Sequence, residues 1–259
     1  MLTQRQRKEL EQLNSRHGRK KSSYFLVEGL RCCREAISRQ PGWLEQIFCE
    51  QSFCESRDGQ DFLALTQRQG LPWQELTAAE LTALAVTEHP QGVLCWLRKP
   101  APVLPVLPSP FCLLLDQIRE PGNLGTILRT AWAVGLPAVW LVSGSADPYS
   151  PKVVRAGMGA QFALQLPTFP SLTEAVAAYR QLGGGDIWCT LPNAGCSLFD
   201  EKFQLTNSAL VIGNEGDGIS QPELGRAVSI PMPGNAESLN AAQAATVFLF
   251  EAVRRQILH

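Results

Sequence analysis

The chain has 259 residues, 45% hydrophobic and 18% charged, with a net charge of −1. That balance excludes an intrinsically disordered chain, and the length suits one large or two small domains at roughly 100–200 residues each. The longest uncharged apolar stretch, Ala241–Phe250, is too short to cross a bilayer, and no charged-then-apolar leader opens the chain, so a cytoplasmic protein without a membrane partner is expected.

Residues 1–39 hold ten Lys and Arg against four acids, a net +6 that leaves −7 for the remainder. A basic end on a mildly acidic body directs a polyanion to one surface. Its peak is Arg16-His17-Gly18-Arg19-Lys20-Lys21, which also reads as a solvated terminus. A polar helix is expected over 4–15, then a strand at Tyr24–Glu28 and a helix with apolar positions Leu30, Cys33 and Ile37. Strands follow at Leu44–Cys49, Leu71–Glu75 and Gly92–Leu97, with helices at Asp61–Arg68 and Thr77–Ala85. Residues 1–100 thus read as a small α/β/α domain. Residues 101–110, with Pro102, Pro105, Pro108 and Pro110, read as an extended linker.

From 111 to 259 the alternation is stronger. Short apolar runs read as buried parallel strands: Phe111–Leu115, Ala138–Val142, Phe162–Leu166, Asp186–Thr190, Leu210–Ile212 and Val228–Ile230. Helical patterns fall at 124–134, 150–158, 171–182 and 239–257. The eight cysteines are scattered and form no paired CxxC, and the histidines are His17, His89 and His259. Inert thiols in a reducing compartment and no metal are therefore expected.

Ligands of open α/β sheets bind beyond the carboxyl ends of strands, and three such ends are rich in Gly, Pro and side-chain amides. In Leu115–Ala131, Pro121-Gly122 makes a turn and Asn123 is placed to cap the helix that follows. Arg129 lies about 200° around that helix from the inward Ile127, so it points away from the core and toward phosphate or ribose contacts. In Leu210–Ser220, three glycines free the backbone for close approach to a ligand, with Glu215 among them. Neither GxGxxG nor GxxxxGK is present, and Glu215 and Asp217 suit a weakly charged or cationic ligand better than a phosphate. In Ile230–Ala245, Pro231 and Pro233 stiffen a loop, and Ser238 or Asn240 begins a helix apolar on nearly every face. Such a helix must be buried all round, which suggests a subunit interface as well as a core.

These three blocks, in this order and spacing, resemble the three motifs of the SpoU (TrmH) family of RNA ribose 2′-O-methyltransferases, within the SPOUT superfamily. The amino-terminal 100 residues, with Phe25-Leu26-Val27-Glu28-Gly29, are similar to the ribosomal-protein-like RNA-binding domain of many members. The resemblance implies a knotted parallel-sheet α/β methyltransferase domain, a homodimer, and S-adenosylmethionine as cofactor. Asn123 and Arg129 fall on the first motif, Glu215 on the second, and Ser238 and Asn240 on the third, as catalytic positions. Gly213, Ile230, Met232 and Leu239 fall where the family grips the cofactor. Members usually continue after the third-motif asparagine with Val-Ser-Val, whereas this chain has Ala241-Ala242-Gln243.

A guanidinium stays charged, with a pKa of about 12 or more. Arg129 is therefore expected to bind the target phosphate and stabilise charge developing on the 2′ oxygen, with a literal general base as the other role. Asn123, Ser238 and Asn240 would orient Arg129 and the ribose, and Glu215 would fix its loop. Arg16, Arg19, Lys20 and Lys21 would dock the RNA, with ribosomal RNA favoured over transfer RNA. An RNA-binding assembly factor without catalysis is the competing class.

Overall fold

The computed structural model describes residues 2–234 and 236–258; Met1, Asn235 and His259 lie outside the described residues. The first 101 residues form α1 (Gln4–Gln12), α2 (Arg16–Lys21), β1 (Tyr24–Glu28), α3 (Leu30–Arg39), β2 (Leu44–Glu50), α4 (Gln51–Glu55), α5 (Arg57–Arg68), β3 (Trp73–Leu76), α6 (Ala78–Leu84) and β4 (Val93–Arg98). The rest forms β5 (Cys112–Leu115), α7 (Pro121–Ala133), β6 (Trp140–Val142), α8 (Pro151–Ala156), β7 (Thr168–Phe169), α9 (Leu172–Gln181), β8 (Ile187–Thr190), β9 (Ala209–Ile212), β10 (Arg226–Val228) and α10 (Ala241–Arg254).

Two compact units result: Met1–Ala101 with Asp147–Phe162, and Pro102–Ala146 with Ala163–His259. In the first, a four-stranded sheet runs β1-β4-β2-β3. Alternation along the strands sends Phe25, Val27, Ile47 and Cys95 into one core and Leu26, Phe48 and Leu94 into another, as period-two side chains must. Leu10 and Leu13 close the second core. The segment Asp147–Phe162, which contains α8, completes the first, where Phe162 stacks on Phe25 at 6.4 Å between ring centroids.

That placement explains one departure from the expected strands. The apolar run Phe162–Leu166 is not the continuous strand expected: Ala160–Phe162 is a 3₁₀ turn, and pairing begins only with an isolated Ala138–Gln165 bridge before β7 pairs with β6. Phe162 is apolar because it fills the first unit's core, a use that periodicity does not distinguish from a strand. The basic run is also more ordered than a solvated terminus. Ser15 caps α2 by accepting from Gly18 N at 3.0 Å. A Cβ on Gly18 would lie 2.0 Å from the Gln12 carbonyl oxygen, so the glycine lets α2 fold tightly back on α1.

In the second unit, six strands run β10-β8-β9-β5-β6-β7 with every pairing parallel. Buried on both faces, the strands read as unbroken apolar runs such as Cys112–Leu115 and Ala209–Ile212. Residues 102–108 adopt no helix or strand, and Leu104 is 84% exposed there.

Candidate active site

The carboxyl ends of β8, β9 and β10 open into loops that line one cavity of about 1000 Å³. All four positions expected to grip a cofactor, Gly213, Ile230, Met232 and Leu239, lie in its wall, as do Glu215 and Ser238. The loop after β8 adds Leu191 and Asn193, which the sequence reading passed over. Their signal was the same one used elsewhere: Pro192, Asn193 and Gly195 stand directly after a strand end.

The loop after β9 closes on itself. Asn214 N donates to Gly218 O at 2.9 Å, and Gly218 N returns to Asn214 O at 3.0 Å. The Asn214 side chain accepts from Gly216 N at 2.8 Å and Asp217 N at 3.2 Å, while its amide donates to Gln117 O at 2.9 Å. Gly213 is required where the ring closes, because a Cβ there would lie 2.5 Å from the Gly218 carbonyl carbon. Ser220 N donates to the buried Asp116 carboxylate at 2.6 Å, tying the far side of the loop to the end of β5. These contacts hold Glu215 at the loop's apex.

Helix α7 begins three residues earlier than expected: Glu120, not Asn123, is its N-cap, and Glu120 accepts from Asn123 N. The Asn123 side chain is thereby released for another task. Its amide donates to Glu215 Oε1, and its Oδ1 accepts from Asn240 Nδ2 at 3.0 Å. Asn240 in turn caps α10, accepting from Ala242 N at 2.9 Å and Gln243 N at 3.3 Å. Because Asn240 Oδ1 is committed to the cap, its amide can only donate to Asn123, which fixes both side-chain orientations. Two segments far apart in sequence, the loop carrying Glu215 and the start of α10, therefore converge on Asn123.

Two expected members stand apart from this network. Ser238 lines the cavity but makes no hydrogen bond to Asn123 or Asn240. Arg129 is exposed on α7, ~240° around the helix and about 9 Å along it from Asn123. It makes no hydrogen bond or ion pair to the described residues, so Asn123 and Asn240 do not orient it, contrary to expectation.

In the first unit, Arg16, Lys20 and Lys21 are exposed on α2. Arg19 corrects the expected RNA-docking cluster: it is only 7% exposed, bonds the Leu13 and Asn14 carbonyls at 2.9 Å, and pairs with Asp147 at 3.1 Å. A helical run turns one of every three or four residues inward, and Arg19 is the one that meets the core.

The two cysteines in the strands below the cavity are inert. Burial, helped by Asp116, pushes Cys189 up to about 11, and burial also raises Cys112, so both stay protonated at neutral pH. No group of described residues could hold a metal ion, and no described helix is long and apolar enough to cross a membrane.

Comparison with known proteins bears on the whole chain. Residues 110–250 match the SpoU rRNA Methylase family, and residues 5–95 match the MRM3-like substrate binding domain. The chain is 31% identical to the 23S rRNA (guanosine(2553)-2′-O)-methyltransferase RlmP of Bacillus subtilis over 94% of each protein. It is 33% identical to the 23S rRNA (uridine(2479)-2′-O)-methyltransferase of Streptomyces viridochromogenes, across 95% of this chain and 88% of that one. The crystal structure of the SpoU methyltransferase AviRb from the same organism, in complex with AdoMet, aligns with a TM-score of 0.83 and 31% identity over 98% of this chain and 99% of that one.

Proposed function

The chain belongs to the SpoU rRNA methylase family, and on that premise we propose that it transfers the methyl group of S-adenosylmethionine to a ribose 2′-hydroxyl of large-subunit ribosomal RNA. The observation that carries this reading is the meeting of Glu215, Asn123 and Asn240 beside the cavity.

The residues present suit the cofactor. The ring closed at Gly213 leaves no room for a Cβ and so brings backbone groups up to the cavity. Its wall carries Glu215, Asp217 and Glu237 and no Lys or Arg among the described residues, which favours a cationic ligand. Gly213, Ile230, Met232 and Leu239 would hold it. Bound there, S-adenosylmethionine supplies an electrophilic methyl group.

The protein's task is then orientation and charge management. Asn123, locked at both ends of its amide, presents a rigid polar edge to the ribose. Glu215 shares its charge with the Asn123 amide and keeps the loop after β9 against α7. Arg129 binds an RNA phosphate and stabilises negative charge on the 2′ oxygen. It does so from the outer face of α7, which is continuous with α10 through the Thr130 and Thr246 hydroxyls, 3.4 Å apart.

That face supports a homodimer. On α10, Phe250 is 55% exposed and Val253 37%, with Gln243 also exposed. A second copy covering this stripe would bring Arg129 to the seam between protomers. Residues 1–100 serve as the RNA-binding domain through Arg16, Lys20 and Lys21, ahead of a linker over 101–110 and a methyltransferase domain over 111–259. With free thiols throughout, the protein works in the reducing cytoplasm.

The test is calorimetric binding of S-adenosylmethionine, followed by mapping of 2′-O-methyl groups in RNA from cells with and without the protein. A site lost from 23S rRNA on deletion, and restored by the purified enzyme, is expected. A site lost from transfer RNA would redirect the substrate, and an unchanged map with no cofactor binding would end the reading.

A further inference from the structure

The cavity that suits a cationic cofactor poses a problem for the second substrate. Glu215, Asp217 and Glu237 line it and Glu120 sits at the start of α7, so a polyanion must approach a ring of carboxylates. Every ribose 2′-hydroxyl in an RNA chain has a phosphate on the adjacent carbon. The phosphate must therefore meet a cation at this rim, or the hydroxyl will not reach Asn123.

Arg119 is such a cation. It stands in the loop between β5 and α7, four residues before Asn123, and its Nη1 lies 2.7 Å from Asp217 Oδ2. Its Nη2 donates to Gln117 Oε1 at 3.0 Å. Asp217 is two residues beyond Glu215 on the closed loop after β9, so the ion pair spans the same two loops that Asn123 and Glu215 join. The pair is open to water, with Arg119 56% and Asp217 67% exposed. An ion pair this exposed is screened and contributes little, so it exchanges partners readily. A phosphate offers the guanidinium two parallel charge-assisted bonds, where Asp217 takes one.

We propose that Arg119 binds the phosphate beside the target ribose, leaving Asp217 as RNA arrives, and that Asp217 holds the guanidinium in place at the rim until then. The assignment rests on the RNA methyltransferase reading above and adds a substrate-positioning residue to it. Asp217 also discriminates: its carboxylate repels a phosphate that arrives without displacing it.

The experiment measures affinity for in vitro transcribed large-subunit rRNA across a salt series, and affinity for S-adenosylmethionine by calorimetry. Arg119→Gln is expected to weaken RNA binding about tenfold and to lower the slope of log affinity against log salt by about one, as loss of one phosphate contact does. Cofactor affinity should stay within about twofold of wild type. Asp217→Asn is expected to bind RNA at least as tightly as wild type. The charge-reversed pair, Arg119→Asp with Asp217→Arg, keeps a bridge between the loops but puts an acid where the phosphate docks, so RNA affinity should stay low. Restoration by the reversed pair, or equal RNA losses in both single variants, would make the contact a loop tether and overturn the proposal. Wild-type RNA affinity in Arg119→Gln would also overturn it in an enzyme that still methylates, whereas a wild-type protein that neither binds cofactor nor methylates would remove the underlying reading instead.

Discussion

Asn240 Nδ2 donates to Asn123 Oδ1 at 3.0 Å while Asn240 Oδ1 caps α10, so one side chain both starts a helix and aims the Asn123 amide. The two tasks are separable. In Asn240→Asp the acceptor remains and the cap survives, but no proton is left to donate to Asn123. Thermal stability should stay near wild type while kcat falls, by about 10²-fold if the orientation of Asn123 controls the reaction. Asn240→Ala should add a loss of about 1 kcal/mol from the missing cap. Wild-type kcat in Asn240→Asp would show that the bridge is dispensable.

Gly213 tests the cofactor cradle. An alanine there would place its Cβ 2.5 Å from the Gly218 carbonyl carbon and 2.6 Å from its oxygen, both backbone atoms with no rotamer to escape through. The ring between Asn214 and Gly218 must then open. Calorimetry should show at least about tenfold weaker S-adenosylmethionine binding for Gly213→Ala, since a misplaced loop forfeits contacts worth ~1.4 kcal/mol or more. Equal affinity would move the cofactor away from this loop.

Arg129 distinguishes two roles for a guanidinium. It has no partner in its own chain's cavity, so Arg129→Lys should leave cofactor affinity unchanged. If it binds phosphate bidentately, lysine supplies charge without the fork, and kcat/KM should fall by about tenfold or more at every pH. Full activity at neutral pH would reject bidentate recognition. A loss that recovers at high pH would instead make Arg129 the base.

What the sequence disclosed and what it hid divide along physical lines. The central strands of the parallel sheet were legible because burial on both faces leaves unbroken apolar runs, whereas the edge strands β7 and β10 fall at Thr168–Phe169 and Arg226–Val228 and not at the expected Phe162–Leu166 and Val228–Ile230. The loops were legible because Gly, Pro and Asn concentrate at their ends. The convergence of Gly213, Ile230, Met232 and Leu239 on one cavity followed the motif resemblance. Hidden were facts that depend on which atoms of a side chain are left over. Glu120 takes the cap of α7 and so frees Asn123, and the Arg119 pairing with Asp217 joins residues 98 apart. Phe162 looked like part of a strand because an apolar residue does not record which core it fills.

The basic helix calls for substitutions and not truncation. Residues 1–22 include Leu10 and Leu13, fully buried in the first unit, and Arg19, which pairs with Asp147, so deleting them would disrupt that core together with the basic surface. Replacing Arg16, Lys20 and Lys21 together by glutamine keeps that core. RNA affinity should drop and its salt slope should fall by up to about three, with cofactor binding intact. Replacing Arg19 alone should instead lower the melting temperature, because Asp147 and the Leu13 and Asn14 carbonyls lose their partner. An unchanged salt slope in the triple variant would exclude α2 from the RNA interface.

The anchoring of α10 gives the fold a defined acid sensitivity. Glu251, only 5% exposed, accepts from Arg254 Nε and Nη2 at 2.7 Å and from Arg255 Nε at 2.6 Å. Arg255 continues to the Phe203 and Leu198 carbonyls at 2.7 and 2.6 Å, pinning the end of α10 to the chain between β8 and β9. The Arg254 hydrogen bonds, with help from Arg255, hold the Glu251 carboxyl at about 2 against an ordinary 4.5. A folded value below the unfolded one means the stabilisation is complete above about pH 4.5 and is lost as pH falls toward 2. Glu251→Gln should therefore cost about 2 kcal/mol at neutral pH, the scale of lost charged hydrogen bonds at a nearly buried site. Melting curves of both proteins between pH 3 and 7 should show a constant gap above about pH 5 that narrows below about pH 4, as wild type loses what the variant already lacks. A gap that stays constant to pH 3 would mean that Glu251 contributes through its shape and not its charge.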